Sequence, residues 1–339
     1  MPRRFDGIEP SIDQSKSRAS IATIDPKIAT TPTAQEESPN MSKLSEPLKA
    51  LINAAHARPH TTPAPRNITS VYQKVATDAA AKKVGLSAWL CASTAATMTL
   101  NSPDSLLSLY TLASSPSHQA SSQSSSDSTH ALWTAELMRE TGLKCIGFNG
   151  VPRTINMLNA FHSGLPKTVQ SALAERKPRR NLSTRNLDAT LERGRGLWSS
   201  IYRGFDEKLV AKLAQSHPDL PVHIIESEYG ALFSDPPSDS APSIPNVGRV
   251  LTSIVAVACL RAQTGVGPQV LSHVFGLRKA FSDGTAEDES EVQGGKWLAG
   301  DEGSGWLLRV VDEIVGAIGE GRGGTFAPGF GEGRERAKL

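Results

Sequence analysis

VGRVLTSIVAVACLRAQTGVGPQVLSHVFGLRKA, residues 247–280, reads as two helices around a tight turn at 264–267. Its apolar residues recur at helical spacing, Gly265 and Gly267 free the backbone to turn, and Pro268 suits the first turn of a second helix. The apolar run 250–260 is interrupted by Thr252 and Ser253 and ends at Arg261. That is well short of the roughly 20 residues needed to span a bilayer, so no membrane span is expected. No part of the chain has the alternating period of a β-hairpin, and the expected fold is all-α.

The same pattern extends outward. Upstream, helices are expected on either side of Gly85, after Ser102-Pro103-Asp104, and over 130–147 and 151–163, with Asn149-Gly150 as the turn between the last two. Leu132, Trp133, Leu137, Leu143 and Ile146 are expected to face inward on the first of these, and Ile155, Leu158 and Phe161 on the second. Nine serines in 114–128 mark an exposed loop. The basic stretch RKPRRNLSTR, 176–185, reads as a connector between 67–175 and 187–320, with helices at 187–202, 205–215, 247–262, 268–281 and 306–318. Residues 1–66 hold nine prolines and one aromatic, Phe5, and are expected to be disordered apart from a helix at 43–57. The Gly-rich stretch 321–339 reads as a flexible tail.

Thirty-six Lys and Arg balance 34 Asp and Glu, which argues against a general nucleic-acid binder. Cys91, Cys145 and Cys259 lie 54 and 114 residues apart. That spacing excludes a CxxC pair, zinc ribbons and a dense disulfide scaffold, leaves each thiol isolated, and fits a reducing, intracellular compartment. The N-terminus lacks a secretory h-region. From Met41, Lys43, Lys49, Arg58, Arg66 and Lys74 face only Glu46 before Asp78. This composition suits a mitochondrial presequence or a Ser/Thr/Pro-rich linker, so cytoplasm and mitochondrial matrix both stay open, as does initiation at Met1 or Met41.

The segment 150–161 can be laid over 265–276, an offset of 115 residues, as two helical hairpins. GFNGVPRTINMLNAF (147–161), SHPDLPVHIIESEYGALFSDP (216–236) and the stretch 247–280 together resemble the AhpD-like and carboxymuconolactone decarboxylase-like superfamily. The resemblance covers about residues 85–320 in two halves. It implies two related helical halves and assembly into homo-oligomers, usually trimers or hexamers. Peroxidase-type members carry Cys-x-x-Cys with a histidine four residues beyond. Here His273 matches the histidine, while Val266 and Gln269 occupy the cysteine positions, and the family glutamate falls near Ile254. In the first half the corresponding residues are Val151, Thr154 and Leu158. The resemblance therefore implies no thiol peroxidase chemistry and leaves a decarboxylase- or lactone-type reaction without cofactor or metal.

In that reading His273 is the catalytic acid–base group, since an ordinary histidine titrates near neutrality. Ser272, Gln269 and Gly265 are its candidate polar partners. Asn149, Arg153 and Asn156 gather where free backbone N–H groups and a guanidinium suit a carboxylate, and Arg153 with Asn149 is the expected substrate-binding pair. The alternative is an inactive helical interaction protein. Glu136, Arg139, Glu140 and Lys144, at i,i+3 and i,i+4 spacing, read as a solvated charged face.

Overall fold

The computed structural model describes residues 44–54, 61–118, 127–236, 244–286 and 292–319. The expectations for 1–43, 119–126, 287–291 and the tail from 320 onward lie outside the described residues. Within them the chain is all-α and no strand occurs. None of its helices is long and apolar enough to cross a membrane.

Two units separate. In the first, Met1–Pro59, the described residues form α1, Glu46–Ile52, inside the expected 43–57, with proline in its first turn and Lys49 paired to Glu46. The second, His60–Leu339, holds everything that follows. It runs α2 (Ile68–Ala81), α3 (Leu86–Thr99), α4 (Pro103–Ala113), α5 (Asp127–Lys144), α6 (Ile146–Asn149), α7 (Val151–Gly164) and α8 (Lys167–Ala174). After the connector come α9 (Leu187–Tyr202), α10 (Asp206–Ser216), α11 (Asp219–His223) and a π-helix, Ile224–Phe233. Then follow α12 (Arg249–Gln263), α13 (Gly267–Ser282), α14 (Gly295–Leu298) and α15 (Asp301–Ile318). Thr62 bonds Leu100 O and Asn101 O, so the second unit is already engaged before α2 begins.

Two helices buried on every side form the centre. All of α3 from Ser87 to Thr99 is buried, as is α12 except for Arg261, and the two pack on each other. A helix buried all round needs small residues and satisfied hydroxyls. In α3, Ala, Ser, Thr and Cys supply the former, and Thr97 and Thr99 donate to the carbonyls of Ser93 and Ala95, while the hydroxyls of Ser93 and Thr94 meet no partner. Around this pair α2, α5 and α15 complete the main core. A smaller cluster, Trp198, Ile201, Tyr229 and Phe233, lies where α9 meets the π-helix.

Several expectations are corrected. The buried stripe of α7 is Thr154, Met157 and Phe161, and Ile155 is 51% exposed. Phe161 is buried as expected and Leu158 is half-buried, while Thr154 and Met157 take the inward places on the side expected for Ile155. On α5, Leu137 is buried, but Leu132, Trp133 and Leu143 are only partly so, and Ile146, which opens α6, is also half-buried.

The larger correction concerns the charged face. Glu136, Glu140 and Lys144 are buried. The connector lies against them: Arg176 pairs with Glu136, and Arg179 and Arg180 pair with Glu140. Lys144 Nζ donates to Phe233 O (2.6 Å), Asp235 Oδ1 (3.0 Å), Thr252 Oγ1 (3.0 Å) and Val247 O. A charge is tolerated inside a protein when its hydrogen bonds are satisfied this fully.

Candidate functional site

His273 stands on the inner face of α13, 6% exposed. Tyr202, at the end of α9, has its hydroxyl 3.3 Å from His273 Nε2, and Tyr229 of the π-helix donates to the Tyr202 hydroxyl at 3.3 Å. The other ring nitrogen, Nδ1, is buried and meets no hydrogen-bond partner. Trp198 packs on Tyr202 (4.3 Å between ring centroids) and edge-on to Tyr229, one turn apart on α9 and opposite on the π-helix. Phe148 of α6 meets His273 edge-on at 6.1 Å and stacks on Phe233 at 5.2 Å.

The π-helix positions Tyr229 and Phe233 at a wider pitch than an α-helix. Its signature is the bond from Ser234 N to Tyr229 O, five residues back. Gly194 of α9 lets it approach, since a Cβ there would lie 2.5 Å from Gly230 Cα.

Electrostatically the cluster is a neutral imidazole at the end of a line of two phenols. Burial, with a smaller contribution from Arg249, lowers the His273 pKa to about 4. Burial raises Tyr202, and burial together with Tyr202 raises Tyr229 well above the ordinary tyrosine range. Arg249, at the start of α12, spends its donors on Ser200 Oγ and O, Ser253 Oγ and Gly276 O, tying α9, α12 and α13 around the histidine. At neutral pH the imidazole is thus uncharged and shares a hydrogen bond with the Tyr202 hydroxyl, the pairing a general acid–base group needs.

The other expected residues serve the packing of α3 and α12. Arg153 donates to Thr99 O at the end of α3. Asn149 is buried beside Thr99 Oγ1, accepts from Gln263 Nε2 and faces Cys259 Sγ. Gln263 also donates to Phe148 O at 2.6 Å, so Asn149 and His273 are joined only through the aromatic between them. Gln269 and Asn156 are exposed. Ser272 bonds back to Pro268 O.

Isolation of the thiols is also corrected. Cys145 and Cys259, 114 residues apart in sequence, lie 3.5 Å apart at sulfur, and Cys91 Sγ is 3.2 Å from Thr141 Oγ1. All three are buried. The hydrogen bond with Cys259 and burial push Cys145 well up, and burial pushes Cys91 up to about 12. Neither favours a nucleophilic thiolate at neutral pH. Among the described residues no group of His, Cys, Asp and Glu could hold a metal ion.

The chain is similar to Peroxisomal protein 2 of Saccharomyces cerevisiae. The two are 30% identical over 156 residues, which cover 41% of this chain and 52% of the yeast protein. The match thus spans about half the length of that relative. No family model matches the chain, and no solved structure matches it.

Tyr202 and Tyr229 are the functional candidates that sequence reading passes over. Scarcity marks them: the chain has four tyrosines, and two of them form the line that ends at His273.

Proposed function

We propose that the chain is an AhpD-like, carboxymuconolactone decarboxylase-like protein of the peroxisome that performs proton transfer at His273 on a small carboxylate or lactone, without cofactor or thiol pair. The observation that carries this reading is the buried, neutral His273 facing the Tyr202 hydroxyl, itself backed by Tyr229. Both Gly150 and Gly265 have positive φ, and proline follows each in the first turn of the next helix, in keeping with two related hairpins. Arg153 and Asn149 stay as the carboxylate-orienting pair, with Arg153 exchanging its bond to Thr99 O for one to substrate. Leu271 and Phe275, exposed one turn apart on α13, support a homo-oligomer through that helix.

The peroxisomal assignment draws on the name of the yeast relative and on the last residues of the sequence. Ala337-Lys338-Leu339 is small, basic and leucine in order, the chemistry of the Ser-Lys-Leu address when its carboxylate is free. Residues 330–339 fused to the C-terminus of a fluorescent reporter are expected to direct it to peroxisomes, and removal of Leu339 to disperse it. A diffuse signal from the intact fusion would return the choice to cytoplasm or mitochondrial matrix.

For the reaction, the full chain is assayed on a panel of γ-lactones and β-keto acids, with CO₂ release and ring opening as readouts. His273→Gln should lower kcat by about 10²- to 10⁴-fold. Tyr202→Phe should lower it as well and move the acid limb of the pH profile. Turnover indifferent to both substitutions, or none on any substrate, would favour an interaction protein. That second reading has support in the structural bonds that occupy Arg153 and Asn149.

A further inference from the structure

Where the connector crosses α9 and the π-helix there is a cleft of about 140 Å³. Its wall carries four arginines, Arg179, Arg180, Arg185 and Arg193, and its described lining includes no acidic side chain. Two of the four are held from outside by one carboxylate, since Arg179 and Arg180 both reach Glu140. Arg185 and Arg193 have no carboxylate in ion-pair distance among the described residues, and the bond shown for Arg193 is to Thr190 Oγ1 on its own helix. The Nε–H groups of both Arg180 and Arg193 are buried without an acceptor. Buried donors left unmet beside surplus positive charge are the mark of a site that lacks its anion.

We infer that this cleft binds the phosphate group of a small molecule, seated among Arg180, Arg185 and Arg193. A doubly charged tetrahedral oxyanion offers the several acceptors that three planar guanidiniums can address at once. The volume suits one such group. A neighbouring basin of about 360 Å³ shares Arg179 and Arg180 with the cleft and is lined by cations and by the carboxylates of Glu136 and Glu140, which gives room for the uncharged remainder of a larger phosphate ester. The cleft is distinct from the His273 cluster, though the π-helix serves both: Tyr229 belongs to the cluster, and Gly230 and Ser234 line the cleft.

Calorimetric titration of the full chain with inorganic phosphate and with phenyl phosphate tests this, with acetate as the singly charged control. Saturable phosphate binding, weakened at least about 10-fold in Arg193→Gln and in Arg185→Gln, is expected, a loss of about 1.4 kcal/mol each. Arg193→Lys should recover only part of the affinity, because the charge remains and the planar donor pair does not. Tighter binding of phenyl phosphate would assign the site to an ester, and equal or weaker binding would assign it to free phosphate. Arg185 is exposed, so its substitution reports on binding even if Arg193→Gln destabilises the fold. Absence of saturable binding by either phosphate at millimolar concentration, or affinity unchanged in both Gln variants, would overturn the assignment.

Discussion

His273 couples the candidate site to stability through protons. Its pKa falls from 6.5 unfolded to about 4 in the fold, so between these values the unfolded chain binds a proton that the native chain refuses. Stability therefore rises with pH across that window and is lost as pH falls through it, by about 3 kcal/mol in all. Urea titrations from pH 7 to 4 should show this slope in the natural protein and a flatter one in His273→Gln. Glu140 acts lower. Burial alone would raise it, but the hydrogen bond and charge of Arg180, with Lys144 and Arg179, outweigh burial and bring it below the ordinary glutamate range, so its contribution disappears only in stronger acid. Lys144 makes a sharper demand. Lys144→Met leaves Asp235 without its cation and Phe233 O without that donor, while Val247 O keeps the Thr252 hydroxyl, and a loss of about 3–5 kcal/mol is expected, read as a lower urea midpoint at unchanged slope. None of this could be read from the spacing of Glu136, Glu140 and Lys144, because their partners come from 39 to 108 residues downstream.

At the scale of elements, legibility follows how local the signal is. The helix expected over 187–202 is α9 to the residue, and Gly85 and Pro103 open α3 and α4 as expected. By contrast α15 begins at Asp301, five residues before the expected start at Trp306. The added first turn includes Gly303, where only glycine fits because any Cβ would strike the backbone of Trp297 and Leu298. The inward side of α7 is no more local: Thr154 and Ile155 are equally plausible inward residues until α3 and α4 choose between them. Gly194 gives a direct test. Its added Cβ would meet Gly230 Cα at 2.5 Å and N at 2.6 Å, and backbone cannot move aside as a side chain does. Gly194→Ala should therefore cost about 1–3 kcal/mol and spread Trp198 from Tyr229, lowering melting temperature and changing tryptophan emission. Gly196, whose Cβ would meet nothing within 4 Å, is the matched control.

For the whole molecule, the all-α class was legible because amphipathic spacing recurs from α2 to α15, whereas the pairing of α3 with α12 was not, since both are apolar or small on every side. The histidine was found through a family likeness, and its two tyrosines only through the fold. Assembly belongs to this scale too. Leu271 and Phe275 expose 56% and 51% of their surface on α13. Replacement of both by glutamate should convert a homo-oligomer to monomer in light scattering while the circular dichroism stays unchanged. A natural protein already monomeric at micromolar concentration would show that these side chains are merely exposed.

The oxygen cage of Lys144 has a topological consequence. It grips the chain at Phe233 and Asp235 and again at Val247 and Thr252, so both ends of the intervening segment are tied to α5 by one ammonium group. A single peptide-bond break between 236 and 246 would thus sever the covalent path and leave the two fragments clasped. Expressed as separate polypeptides divided there, they should find each other and rebuild the native protein, with Lys144 as the knot between them.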